Sequence, residues 1–160
     1  MTMLIIDLLF TYIATVAFGV LLNLPHRALN MAGLIGTLSF LAYKLLMMAH
    51  SGLVTANLVG AVLIGVLSMQ AAKWLKMPVI IFNIPALVPF VPGGQAYQMV
   101  KNFALADNTV AFSFLFQVIE IAGAIAFGFL LAELFIRLQQ KLLDWLASRR
   151  KASDRDIKRY

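Results

Sequence analysis

Long apolar stretches separated by short polar connections dominate the hydrophobic pattern of this chain. Four stretches are unbroken and about 20 residues long, the length that an α-helix needs to cross a hydrocarbon core of roughly 30 Å. They cover residues 3–24, 28–49, 53–74 and 109–131. The first two connections, NLPHR and HSG, are tight turns, so the helices they join should run antiparallel. The pattern predicts an all-α integral membrane protein.

A fifth apolar stretch, residues 78–103, has the length of a membrane span but contains strong helix breakers. Its central part is NIPALVPFVPGGQAY, residues 83–97. Proline removes a backbone donor and glycine weakens a helix, so we expect an interruption between Pro89 and Gly93. About 16 Å of helix would precede the interruption and about 18 Å would follow it. We therefore predict about five transmembrane helices, the fourth broken near mid-membrane by proline and glycine.

The hydrophobic pattern changes after residue 136. Apolar residues now recur on one side of a helix and polar residues on the other, which predicts an amphipathic helix at the membrane interface or against a partner. The end of the chain, RRKASDRDIKRY, has too little apolar surface to fold alone and should be disordered. We divide the chain into a transmembrane domain, residues 1–136, and a basic cytoplasmic amphipathic helix with a disordered tail, residues 137–160. The apolar side consists of Leu134, Leu138, Leu142, Trp145 and Leu146, and the polar side of Arg137, Gln140, Lys141 and Asp144.

Composition and charge agree with a membrane protein and give it an orientation. Of the 160 residues, 62% are hydrophobic and 12% are charged, too few charges to cover a soluble domain. The net charge of +6 does not indicate nucleic-acid binding, because eight of the 13 Lys and Arg residues follow residue 136. Lys and Arg collect on the cytoplasmic side of membrane proteins. With five crossings, an N-terminus outside and a C-terminus in the cytoplasm, Arg27, Lys73 and Lys76 lie inside and only Lys101 lies outside.

The sequence contains few of the groups that catalysis or metal binding requires. It has no cysteine, and its two histidines, His26 and His50, lie in turns on opposite sides of the membrane. Membrane hydrolases need paired aspartates, serine with histidine, or a motif such as H-E-x-x-H, and we find none of these arrangements. We therefore expect no enzyme activity, no metal and no cofactor.

The broken segment is the strongest candidate for a functional site. Non-helical backbone inside a bilayer must be covered by protein or line a wet cavity, and such breaks are typical of transporters. Prolines can also kink a helix for packing alone, but four prolines followed by two glycines favour a site. Free N–H groups and missing Cβ atoms at the start of the second half-helix suit a substrate carboxylate. A stripe of polar residues then predicts one wall of a water-accessible path, and the site comprises Asn83, Pro89, Pro92, Gly93, Gly94, Gln95, Gln98 and Lys101.

Charged residues in the other helices are weaker signals. Glu120 lies about 16 Å into the last span, where a charged carboxylate costs roughly 3 kcal/mol. It is either a proton-coupling residue or a member of a structural ion pair or subunit contact. Lys44 is within snorkelling reach of the interface and should be interfacial. Small and polar residues at helical spacing, such as Asp7, Thr11 and Thr15, predict close helix packing.

The run PFVPGGQAY resembles the threonine/serine exporter family, and in particular the small all-helical subunit of its two-component form. Pro89, Pro92, Gly93 and Tyr97 fit a P-x-x-P-G-x-x-x-Y pattern, which adds Tyr97 to the predicted site. The run NLPHRAL, the pair Lys73–Trp74 and Pro78 match in order. The resemblance covers most of residues 18–100, so it implies nothing about Glu120.

The resemblance implies a bacterial inner-membrane exporter of small carboxylate metabolites, either threonine and serine or a dicarboxylate such as succinate. It also implies a separately encoded, larger partner subunit with a soluble domain and its own membrane helices. Five helices make a thin wall, so some assembly is expected in any case. Two alternatives remain open: an assembly subunit that does not transport, and a homo-oligomeric pore.

Overall fold

The described chain consists of six α-helices and one 3₁₀ turn. The computed structural model describes the backbone of residues 2–157 and the side chains of residues 3–142 and 145. No β-strand occurs in this part of the chain, which confirms the predicted all-helical class. The elements are α1 (Thr2–Leu21), α2 (His26–Met48), α3 (Leu53–Leu75), α4 (Ile80–Leu87), the 3₁₀ turn (Val88–Phe90), α5 (Gly93–Ala104) and α6 (Asn108–Ile157).

Four helices in the described residues are long and apolar enough to cross a membrane, namely α1, α2, α3 and α6. Each begins within a residue or two of its predicted span. The predicted fifth span is instead two short helices, α4 and α5, and neither reaches that length alone. The expected count of five crossings and the orientation therefore remain proposals.

Tight turns define two ends of the bundle, which we name after a residue at each. At the His26 end, α1 ends, α2 begins and α3 ends; at the Met48 end, α2 ends and α3 begins. The chain reverses at the Met48 end through Gly52, whose φ of 86° is a conformation that favours glycine. Thus α2 runs antiparallel to both α1 and α3, as the short connections predicted.

The first half of the broken segment lies in the core of this bundle. α4 starts at the His26 end and packs against α1, α2 and α3. Phe82, Pro85 and Ala86 of α4 are buried. The backbones approach closely, because a Cβ atom on Gly36 of α2 would lie 3.3 Å from the Cα atom of Ala86. The core is therefore built around the segment that the prolines interrupt.

α6 packs against α3 in a parallel register. A Cβ atom on Gly128 would lie 2.8 Å from the carbonyl oxygen of Leu58, and Ile121 shares a cavity with Leu53 at the start of α3. The part of α6 before Ile121 is about 20 Å of helix and extends past the Met48 end.

α5 pairs with this extension of α6 rather than with the bundle. The rings of Phe103 and Phe112 meet edge to face, with centroids 5.5 Å apart. None of the α5 residues is buried. Residues 93–120 therefore form a helical hairpin, called the α5–α6 hairpin below, that contacts the rest of the chain mainly at its base.

α6 continues as a single helix to Ile157 without a break at residue 136. Its backbone is thus helical through residues 149–157, where we expected disorder. Arg137 donates to the Glu133 carboxylate one turn earlier, at 2.6 Å. The side chains of Asp144 and Leu146 and residues 158–160 lie outside the described residues. The division of the chain at residues 136 and 137 stays a prediction.

Candidate functional site at the broken helix

The helix is interrupted at Val91 and Pro92, inside the predicted interval. Val91 is extended, with φ −63° and ψ 128°, and Pro92 precedes the first turn of α5. The N–H group of Gly93 donates to the carbonyl oxygen of Val91 at 2.7 Å, and that of Ala96 donates to Pro92 at 2.9 Å. Because prolines have no N–H group, Pro89 and Pro92 reduce the number of donors that the break leaves unpaired.

The break lies between the Met48 end and the middle of the bundle. The ring of Phe90, just before it, packs against Tyr43 of α2 with centroids 5.8 Å apart and fills the space beside Gly60 of α3. Gly60 is only about 10 Å along α3 from Leu53, in a helix about 33 Å long. The expected mid-membrane position of the break stays a prediction. It assumed that both half-helices lie at the depth of the bundle, and α5 extends past the Met48 end.

A small cavity lies on the α3 side of the break. Its volume is about 90 Å³, which is enough for water. Polar groups reach it from three helices: Tyr43 of α2, Asn57 of α3 and Gln95 of α5. Asn57 is 3% exposed and donates to the carbonyl oxygen of Leu53 at 2.8 Å. Of the predicted site residues, Pro89, Pro92 and Gln95 line this cavity.

A larger cavity of about 330 Å³ lies on the α1 side of the break. Pro89 forms part of its wall, and an ion pair crosses it between α1 and α2. The Lys44 Nζ atom lies 2.8 Å from the Asp7 Oδ2 atom and 5.6 Å from the ring centroid of Phe40. The buried Thr11 hydroxyl donates to the carbonyl oxygen of Asp7 at 2.7 Å.

Sequence reasoning missed this pair, because it assigned Lys44 to the interface and Asp7 to packing. The distances of the two residues from the ends of their helices could have indicated the pair. Asp7 lies about 8 Å from the start of α1, and Lys44 lies about 6 Å from the end of α2. Since α1 and α2 are antiparallel, similar distances from the Met48 end bring the two charges to about the same level.

The glycines at the start of α5 face open space. No atom lies within 4 Å of the position that a Cβ atom would take on Gly93 or Gly94. The N–H groups of Gly94 and Gln95, in the first turn of α5, have no backbone acceptor in the described residues. The start of α5 therefore combines unpaired backbone N–H groups with open space beside them.

The remaining predicted residues are not brought together. Tyr97 and Lys101 are exposed on α5, whereas Gln98 is partly covered. The Asn102 side chain donates to the carbonyl oxygen of Gln98 at 2.7 Å. Asn83 lies on α4, and its Oδ1 atom is buried without a hydrogen bond to any described residue.

Glu120 lies at the base of the α5–α6 hairpin. It precedes Ile121, which is level with the start of α3, so it lies at the Met48 end and is exposed. Its mid-membrane position, which came from counting along the apolar part of α6, stays a prediction. No cation of the described chain pairs with its carboxylate. Within the described residues no group of three or more His, Cys, Asp or Glu side chains could hold a metal.

The comparison with known families covers the break and both cavities. The model of the family described as "Threonine/Serine exporter, ThrE" matches residues 7–135. The match extends from α1 into α6, well beyond the motif residues that carried the resemblance. No solved structure matches the chain. With four membrane-length helices and most of its sequence matched, this multi-pass membrane protein belongs to the threonine/serine exporter family.

Proposed function

We propose that this chain is the small membrane subunit of a secondary exporter in a bacterial inner membrane. The exporter would consist of this chain and a larger partner subunit. It would move threonine and serine, or a dicarboxylate such as succinate. The observation that carries the proposal is a helix break inside a packed bundle, with a cavity on each side, in a member of an exporter family. Transporters bind small solutes at such breaks, because the unwound backbone supplies free polar groups.

The start of α5 supplies a site for a carboxylate in this proposal. The free N–H groups of Gly94 and Gln95 and the positive end of the helix dipole favour an anion. Gln98 and Lys101 continue along α5 and would line the route away from the break. Glu120, whose carboxylate is exposed at the Met48 end, would serve as the proton-coupling residue.

The two short helices would together make the fourth of five crossings. α4 begins at the His26 end, and α5 ends beyond the Met48 end. We place the N-terminus and the Met48 end outside, and the C-terminus in the cytoplasm. This orientation keeps Arg27, Lys73 and Lys76 inside, in agreement with the distribution of basic residues in membrane proteins.

The α5–α6 hairpin supports the need for a partner. It exposes large apolar side chains on both of its helices, while most of its contacts are between those two helices. A surface of this kind favours a neighbouring subunit. It also favours the second candidate function, an assembly subunit that does not transport. The exposed apolar residues of the hairpin include Tyr97, Val100, Phe103, Phe112, Phe116 and Ile119.

Purification of the tagged chain from its native membrane in mild detergent, followed by reconstitution into vesicles, tests the proposal. We expect a larger membrane protein with a soluble domain to co-purify in a fixed ratio. Vesicles with the pair should export labelled threonine, serine or succinate. Recovery of this chain alone, as a stable oligomer, would contradict the two-component form. A pair that moves none of the three solutes would favour the assembly subunit.

A further inference from the structure

We propose that Asp7 and Lys44 form a site, separate from the one at the start of α5, that recognises the zwitterionic head of an amino acid, with the substrate ammonium at Asp7 and the substrate carboxylate at Lys44. The inference rests on the proposed export function and narrows its substrate. An α-amino acid carries both charges that the pair can bind, whereas a dicarboxylate carries only one of them.

Both side chains of the Asp7–Lys44 ion pair can form further hydrogen bonds with a ligand. Only one contact joins the two side chains, between Lys44 Nζ and Asp7 Oδ2 at 2.8 Å. A carboxylate has a second oxygen, and an ammonium group has three N–H donors. Lys44 is 35% exposed and Asp7 is 42% exposed, and both face the cavity of about 330 Å³. The ion pair is therefore accessible from the cavity and is not sealed between the helices.

A structural role alone does not explain this pair well. An ion pair as exposed as this one contributes little to stability, so it does little to join α1 to α2. The pair also opens to a cavity beside the broken segment, where a ligand can reach it.

The cavity suits a small amino acid. It is open on one side, and its volume of about 330 Å³ leaves room for a small amino acid. Phe10, Ala14 and Phe40 provide apolar walls for a short side chain. The substrate could lie antiparallel to the ion pair, so that each charge meets its opposite. A dicarboxylate would instead place its second anion against Asp7 and be repelled.

Pro89 connects this site to the break. It lines the larger cavity with Asp7 and Lys44, and it also lines the smaller cavity with Asn57 and Gln95. An amino acid in the larger cavity would therefore contact the broken segment directly. This position would allow the bound substrate to affect the segment that the proposed function assigns to the pathway.

Competition in vesicles with the wild-type complex tests the inference without any substitution. Labelled threonine is the transported solute, and the competitors are threonine, N-acetylthreonine, threoninol and succinate. N-acetylthreonine lacks the ammonium, and threoninol lacks the carboxylate. Loss of one charge-assisted hydrogen bond should weaken competition roughly 10- to 100-fold for each analogue. Equal competition by threonine and both analogues would overturn the inference.

Substitutions then identify the residues. We expect Asp7→Asn to weaken threonine binding roughly 10- to 100-fold and to leave N-acetylthreonine unchanged, because that analogue has no ammonium to lose. Lys44→Gln should weaken threonine and N-acetylthreonine alike. A merely structural pair predicts recovery in the double variant Asp7→Asn/Lys44→Gln, which contains no unpaired charge. Recovery of wild-type threonine binding in the double variant would therefore overturn the inference, and we expect the defect to persist.

The outcomes separate this inference from the proposed function. A wild-type complex that exports succinate but not threonine or serine would contradict the amino-acid site and leave the exporter intact. A wild-type complex that exports none of these solutes would contradict the proposed function itself.

Discussion

The ring of Phe90 occupies the space that a side chain on Gly60 would need. A Cβ atom on Gly60 would lie 2.2 Å from the Cε1 atom of Phe90. The same ring meets Phe40 and Tyr43 edge to face, with centroids 6.2 and 5.8 Å away. Phe90 is the last residue of the 3₁₀ turn and is 4% exposed. This contact fixes the chain between α2 and α3 immediately before the break.

Gly60→Ala should therefore destabilise the protein. The new methyl group must displace a buried ring, and overpacking of this kind costs roughly 1–3 kcal/mol. Gly123→Ala is the matched control, because nothing lies within 4 Å of a Cβ atom on that helical glycine. Unfolding midpoints in detergent should be lower for Gly60→Ala and unchanged or higher for Gly123→Ala. Equal midpoints would contradict the packing described for Phe90.

Gly128→Ala should destabilise the protein more than Gly19→Ala. A methyl group on Gly128 would meet the backbone of α3, at 2.8 Å from the Leu58 oxygen and 3.2 Å from the Val62 nitrogen. One on Gly19 would meet chiefly the end of the Leu29 side chain, at 2.7 Å, which can rotate away. The same unfolding measurement checks this order. The reverse order would show that α6 does not pack on α3 as described.

A disulfide should form between cysteines placed at positions 19 and 85. The distance from a Cβ atom on Gly19 to that of Pro85 would be 4.0 Å, within the usual range of roughly 3.5–4.5 Å. The chain has no native cysteine, so the double variant Gly19→Cys/Pro85→Cys has no competing thiol. Mass spectrometry of the oxidised protein after digestion should find the two positions linked. Gly123→Cys/Pro85→Cys is the control, and equal linkage in it would contradict the position of α4.

Single cysteines should also report the crossing of the broken segment. We expect His50→Cys and Ala106→Cys to react with a membrane-impermeant maleimide from the periplasmic side, because both lie at or beyond the Met48 end. Lys76→Cys, at the His26 end, should react only after the membrane is opened. Labelling of positions 76 and 106 from the same side would contradict a crossing between them.

Some of the fold followed directly from the sequence. The starts of α1, α2 and α3 were predictable, because membrane thickness fixes helix length and the connections are short. The break was predictable from Pro89, Pro92 and Gly93, whose effect on a helix is local.

The tertiary arrangement was not predictable in the same way. Hydrophobic periodicity does not say which helix α5 packs against, and it pairs with α6 rather than with the bundle. The level of Glu120 relative to the bundle was not predictable either, because it depends on the register of α6 against α3, where Gly128 packs on the α3 backbone. Asp7 and Lys44 are distant in sequence, and only the antiparallel packing of α1 and α2 brings them together.

The most direct test of the exporter account replaces the glycines at the start of α5. Gly93→Leu and Gly94→Leu fill open space, as does the control Gly123→Leu, since no atom lies within 4 Å of a Cβ atom at any of the three positions. All three variants should insert and assemble. Export by the reconstituted complex should fall to background in the first two and stay at the wild-type rate in Gly123→Leu. Wild-type export by both Gly93→Leu and Gly94→Leu would contradict a role for the broken helix in transport.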